Sequence, residues 1–200
     1  MNKGNNPAPF DSLTLDTAPN RLTALRIIAV PAVVVLLAHR EFSYHIAAAV
    51  LFSLAAITDY FDGYLARTQK LITVYGKLMD PLADKFLVIG SLVMLQYLGR
   101  IHPYLVIVLI CRELAITSLR ALASAEGVII AAGQGGKWKA ALQMVGIPFL
   151  ILNETLFGFL PCREIGLGLI YISVALSLTS AFSYAKEFFQ TLKRKRAAKH

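Results

Sequence analysis

Asp59, Asp62, Asp80 and Asp84 stand close together in a chain of 200 residues that holds only 12 acidic side chains. Four carboxylates brought together repel one another and raise one another's pKa unless a cation sits among them. An all-oxygen donor set suits hard divalent ions such as Mg²⁺ or Mn²⁺ rather than softer metals. The set is large enough for two ions, and paired ions about 3.5–4 Å apart are a standard device of phosphoryl transfer. The competing interpretation is a set of structural salt bridges with Arg67, Lys77 and Lys85.

Spacing supports the metal-binding alternative. On a helix, Asp59 and Asp62 are three apart and share a face. Gly63 and Ala66 fall on the same side, where small residues let other groups approach the backbone, and Arg67 follows one turn beyond Gly63. Gly76, Asp80 and Asp84 are spaced by four. Pro81 follows Asp80, so either a helix begins there with Asp80 as its cap or a helix is kinked there.

The elements that position these residues are apolar. The chain is 56% hydrophobic with a mean hydropathy of +0.60, against ~45–50% apolar for a soluble domain. The excess is gathered into blocks long enough to cross a hydrocarbon core ~30 Å thick at ~1.5 Å per residue. Six spans are predicted: Leu22–Ala38, His45–Leu65, Leu78–Leu98, Pro103–Ala123, Ala140–Phe157 and Ile165–Phe188. The blocks are too continuously apolar for barrel strands, which alternate, so the predicted fold is an all-α polytopic membrane protein with six transmembrane helices. Arg40, Arg100 and Arg163 fall in the three outer connections and the other basic residues lie toward the opposite side. By the positive-inside rule both termini are cytosolic. Both aspartate pairs then lie at the cytosolic ends of adjacent antiparallel helices, just inside the membrane. Charges within spans cost at least ~2.5–3.5 kcal/mol each and usually serve function.

The net charge of +8 does not point to nucleic acid, because the basic residues sit between apolar blocks and at the C-terminus. The tail "KRKRAAKH" reads as an orientation anchor, with an anionic-lipid site as its second interpretation. Cys111 and Cys162 make no metal or redox pattern and are expected to stay unpaired. The four histidines are scattered. Residues 1–19 are polar, lack the apolar centre of a signal peptide, and are expected to be mostly disordered. Residues 20–190 form the predicted six-helix domain and 191–200 a basic cytosolic tail. There is no internal repeat.

The pattern Asp59-x2-Asp62-Gly63-x2-Ala66-Arg67-x8-Gly76-x3-Asp80-x3-Asp84 resembles in full the signature of the CDP-alcohol phosphatidyltransferase family. That resemblance implies transfer of a phosphatidyl group from CDP-diacylglycerol to an alcohol, with release of CMP, in phospholipid biosynthesis at a bacterial cytoplasmic (inner) membrane. It implies Asp59, Asp62, Asp80 and Asp84 as ligands of two Mg²⁺ or Mn²⁺ ions, with Asp84 also the base on the attacking hydroxyl. Gly63, Arg67 and Thr73 match CDP-lipid contacts, and Asn20 and Thr23 are expected to face the nucleotide. "PNRLTALRI" at 19–27, "CRELAITSLRALASAEG" at 111–127 and "AAGQGGKWKAALQM" at 131–144 resemble the phosphatidylglycerophosphate synthase branch. Its acceptor is sn-glycerol 3-phosphate. The segment before Pro19 is longer than that branch suggests. The resemblance also implies a homodimer.

An anionic acceptor needs cations of its own. Arg112, Arg120, Lys137 and Lys139 are the candidates, and arginine suits phosphate well. Glu113 and Arg120 are seven apart on one helix face. The alternative here is an internal Glu113–arginine ion pair that packs helices, and the two roles are compatible if Glu113 orients an arginine. "GQGGK" at 133–137 is not a P-loop, because Ala131 stands where the first glycine belongs and Trp138 follows the lysine. A flexible cytosolic loop that brings Lys137 toward the site is predicted instead. Tyr97, Tyr104, Phe182 and Tyr184 are expected to anchor at the interface or pack. Two rivals stay open: the same chemistry on another acceptor such as an inositol phosphate, and an ion or proton transporter. A transporter relay would spread its acids across the bilayer, whereas these gather near one face.

Overall fold

The computed structural model describes residues 18–69, 74–127 and 134–197, with side chains described for 25–58, 85–127, 136–195 and 197. The expected disorder of residues 1–17 lies outside that set. The described chain is almost entirely helical: α1 Ala18–Ala38, α2 Phe42–Gln69, α3 Val74–Tyr97, α4 Pro103–Ala125, α5 Gln134–Leu152 and α6 Cys162–Ala197. The all-α expectation holds apart from one small hairpin, β1 Thr155–Leu156 paired antiparallel with β2 Leu160–Pro161.

Several boundaries differ from the sequence prediction for physical reasons. The fifth span was predicted to run to Phe157, but α5 stops at Leu152 because Asn153 takes a left-handed φ of 57°. The chain then reverses through Phe157 and Gly158, with φ of 55° and 75°, and the Phe159 N–H donates to the Leu156 carbonyl at 3.3 Å. Two consecutive left-handed residues match the twist of a tight hairpin. The apolar run "LFGFLP" disguised this turn as membrane helix. "GQGGK" is not the predicted loop: α5 begins at Gln134, so Lys137 stands in its first turn. Packing overrides the poor helix propensity of glycine. α3 opens at Val74, well before Pro81, which rules out Asp80 as its N-cap. α6 continues past Phe188 through most of the basic tail.

The chain divides into two compact units, residues 1–91 and 92–200. In the first, α1 packs on α2. Ala29, Val33 and Leu37 recur every four residues on α1 and are buried, as are Ala48, Ala49 and Phe52 on α2. The His45 ring nitrogen Nε2 lies 3.0 Å from the His39 carbonyl and ties the short connection between them. A side chain at Gly90 would reach within 3.2 Å of Val30 Cγ1, so glycine lets α3 lie close to α1.

In the second unit, α5 runs antiparallel to α6 and α4 runs parallel to it. A Cβ on Gly166 would sit 2.8 Å from Leu150 Cγ and 3.0 Å from the Gly146 carbonyl. Glycine therefore sets how closely α5 and α6 approach, as small residues do between membrane helices. On the parallel side, Arg112 Nε donates to the Ser177 carbonyl at 3.0 Å, and farther along Phe188 packs against Ala123. Antiparallel neighbours in sequence and parallel alternate helices are what consecutive crossings of one layer require.

α3 ends in a Schellman turn. Gly99 has a φ of 69°, its N–H donates to Gln96, and the Arg100 N–H donates to Leu95, both at 2.9 Å. The Arg100 side chain then donates to the carbonyls of Leu150, at 3.3 Å, and Ile151. These carbonyls at the end of α5 lack helical partners, and a cation there also opposes the helix dipole. Burial pulls the Arg100 pKa below its ordinary value and the Glu154 carboxylate opposes that, but a guanidinium stays charged at working pH. Arg100 is thus a cap for α5.

α6, over Cys162–Lys195, is long and apolar enough to cross a membrane. Only 22% of its most apolar window is buried, whereas a core helix of a water-soluble protein would be mostly covered. α1, α2 and α3 contain shorter apolar stretches, Leu25–Ala38, Phe42–Thr58 and Lys85–Tyr97. Large apolar side chains such as Ile28, Leu54, Val93, Ile107 and Leu178 point outward from five different helices. Cys111 and Cys162 are free thiols, the first exposed and the second buried.

Candidate active site

The candidate aspartates belong to the first unit. α2 is unbroken to Gln69, so positions 59, 62, 63 and 67 lie on its last turns. α3 is unbroken from Val74, so positions 80 and 84 are one turn apart on a continuous helix. Asn20 and Thr23 fall in the opening turns of α1. The side chains at these eight positions, and Thr73 altogether, lie outside the described residues. Four residues separate the end of α2 from the start of α3. The donor set at these positions is carboxylate oxygen alone, which fits a hard divalent cation. The helical spacings of three and four fit a compact cluster.

The candidate acceptor cations belong to the second unit. Three helices meet at Glu113. Arg112 Nη1 lies 3.2 Å from Glu113 Oε2, and Lys139 Nζ from α5 donates to the same oxygen. Arg112 reaches α6 through Ser177, and Ser173 Oγ of α6 donates to the Lys139 carbonyl at 3.2 Å. Arg112 and Lys139 are only 9% and 7% exposed. A buried lysine and arginine sharing a carboxylate is costly to desolvate and costlier still to break. This knot therefore fixes the register of α4, α5 and α6 whatever else it does.

Of the two sequence interpretations of this region, the internal ion pair is present. The Glu113–arginine pair is present, and Lys139, expected only as a phosphate ligand, is a second partner of the same carboxylate. Arg112 and Lys139 can meet an acceptor phosphate only as members of that network. Arg120 and Lys137 differ: both are exposed. The Arg120 guanidinium carbon lies 5.7 Å from the centre of the Tyr184 ring. Tyr184 is one of four aromatics expected either to anchor at the interface or to pack. Tyr97, Tyr104 and Phe182 are indeed outward-facing, but Tyr184 is 9% exposed and packs beneath Arg120. No spacing rule could have paired positions 120 and 184, since the contact depends on α4 and α6 running side by side.

The sequence profile of the family described as CDP-alcohol phosphatidyltransferase matches residues 16–179. A protein of Bacillus subtilis (strain 168) named CDP-diacylglycerol–glycerol-3-phosphate 3-phosphatidyltransferase is 33% identical, over 88% of this chain and 96% of its own length. Relatives of the same name from Mycoplasma pneumoniae and Rickettsia typhi are 34% and 33% identical, over 94% and 84% of this chain and 96% and 94% of their own lengths.

Proposed function

The chain belongs to the CDP-alcohol phosphatidyltransferase family, and from that premise we propose that it transfers the phosphatidyl group of CDP-diacylglycerol to sn-glycerol 3-phosphate. The products are phosphatidylglycerophosphate and CMP. The observation that carries this is similarity at about a third of positions, along nearly the whole chain, to relatives named for that reaction. The segments that distinguish the branch include the Arg112, Arg120 and Lys137–Lys139 region that would meet the acceptor.

The proposed mechanism assigns one task to the aspartates and another to the cations. Asp59, Asp62, Asp80 and Asp84 would hold two divalent ions, Mg²⁺ or Mn²⁺. Ions held there would supply positive charge to neutralise the pyrophosphate and the departing nucleotide phosphate. Gly63, Arg67, Thr73, Asn20 and Thr23 would hold the CDP-lipid. Asp84 takes the proton from the acceptor hydroxyl, whose oxygen bonds to the phosphatidyl phosphorus as the bond to CMP breaks. Arg120 and Lys137, with Arg112 and Lys139 held by Glu113, grip the acceptor phosphate away from the reacting hydroxyl. A lipid donor with a water-soluble headgroup suits a site just below the cytosolic face of a six-span bundle with both termini inside. The proposal includes a homodimer in a bacterial inner membrane.

The test is direct. Protein purified in detergent with Mg²⁺ or Mn²⁺ is given CDP-diacylglycerol and one acceptor at a time while CMP is followed. CMP release with glycerol 3-phosphate is expected; release only with an inositol phosphate would transfer the proposal to that acceptor. In the same assay Arg120→Ala is expected to raise the KM for glycerol 3-phosphate about tenfold or more, the scale of a lost charge-assisted contact, with little change in the KM for the lipid. Equal changes for both substrates would assign Arg120 to packing.

A further inference from the structure

α6 is 36 residues long, or ~54 Å at ~1.5 Å per residue, against a hydrocarbon core of ~30 Å. Its last turns therefore extend beyond the lipid, where an apolar driving force for packing is weakest inside a membrane and returns in water. They are fastened to the end of α4 at three successive levels. Tyr184 lies under Arg120. Phe188, fully buried, packs against Ala123 with Leu119 and Leu192 beside it. Lys195 Nζ donates to the carbonyl of Glu126, the C-cap of α4. The α6 positions 184, 188, 192 and 195 fall on one helix face. A lysine on the last carbonyls also complements the helix dipole.

Tyr184 occupies the level that meets Arg120, one of the proposed acceptor ligands. Its ring is buried, so it cannot swing away with solvent, while the guanidinium it carries is exposed. An arginine side chain loses much rotamer freedom when it binds a ligand, and a fixed aromatic face that already holds the cation reduces that loss. Arg120 has no ion-pair partner among the described residues, so the ring is its recorded anchor.

We propose that Tyr184 is a positioning residue for acceptor binding, acting through Arg120, with Phe188 and Lys195 bracing the two helices so that the ring stays in place. This rests on the acceptor role given to Arg120 above. Tyr184→Leu removes the ring and keeps an apolar filler. It is expected to raise the KM for glycerol 3-phosphate about twofold to fivefold, the scale of a cation–π contact at an exposed cation, and to leave the KM for CDP-diacylglycerol unchanged. Tyr184→Phe keeps the ring face and is expected to stay close to wild type. In an Arg120→Ala background, Tyr184→Leu is expected to add nothing, because the two act as a unit.

A graded measurement does not depend on the leucine variant folding. Phenylalanines carrying increasing numbers of ring fluorines, placed at 184, weaken the negative ring face at nearly constant shape. The KM for glycerol 3-phosphate should climb step by step along that series. A flat series, or equal shifts for both substrates, overturns the inference and leaves Tyr184 as packing. Wild-type protein runs alongside: if it releases no CMP with glycerol 3-phosphate, the functional proposal fails and takes this inference with it, whereas an active wild type with a flat series rejects Tyr184 alone.

Discussion

Asp84→Asn is expected to lower turnover about 10²–10⁴-fold, the range for loss of a positioned general base, while the protein still inserts and folds. The two side chains have nearly the same shape, so helix α3, continuous from Val74 to Tyr97, has no steric reason to change. What changes is proton affinity. An amide cannot accept the hydroxyl proton, and it offers a neutral oxygen where a carboxylate would help hold a divalent ion. Single-turnover CMP release with saturating CDP-diacylglycerol and glycerol 3-phosphate isolates the chemical step, and melting in detergent checks the fold. A variant that turns over within about tenfold of wild type would remove Asp84 as base, since general-base contributions are larger than that. Loss of activity that excess Mn²⁺ restores would assign Asp84 to metal holding alone.

Glu113→Ala is expected to destabilise the second unit by about 3–5 kcal/mol, the scale for breaking a buried pair and stranding its charge. Arg112 and Lys139 both lie against this carboxylate and both are nearly covered. Its removal leaves two buried cations facing each other between three helices. Glu113→Gln keeps a hydrogen-bond acceptor and should lose less, which separates charge from shape. The readouts are the detergent melting temperature and the yield of inserted protein. An alanine variant that melts like wild type would show that Arg112 and Lys139 find equivalent partners elsewhere, and the Glu113 knot would lose its structural role. Leu114 next to it is exposed, so Leu114→Ala serves as a control on the same helix and is expected to change stability little.

The two variants probe different halves of the proposed chemistry and should be separable. Asp84→Asn is a catalytic lesion with the fold intact. Glu113→Ala is a lesion in the frame, and the protein that survives it should show its remaining defect in acceptor binding. Their order of effect would reverse if the aspartates were structural salt bridges and Glu113 were a simple surface acid.

Helical class and the family signature were legible from composition and spacing. Period-three and period-four carboxylates placed beside small residues can be read from a linear string, because helix geometry converts spacing into direction. Uninterrupted apolar blocks exclude alternating strands for the same reason. Branch membership was legible in short local segments, since residues that meet one ligand through one helix tend to be near in sequence.

Tertiary structure decided what depends on contacts between distant segments. The hairpin after Leu152 hid in an apolar run, because hydropathy is blind to the left-handed φ of Asn153 and Phe157. The helical start at Gln134 defied its glycines, because packing on α6 outweighs local propensity. Lys139 and Tyr184 acquired roles only when α4, α5 and α6 were laid together: one meets Glu113 and the other lies under Arg120. Chemistry carried by one helix follows from spacing, which the sequence states outright. Chemistry shared between helices follows from their crossing and register, which depend on the combined packing of many side chains.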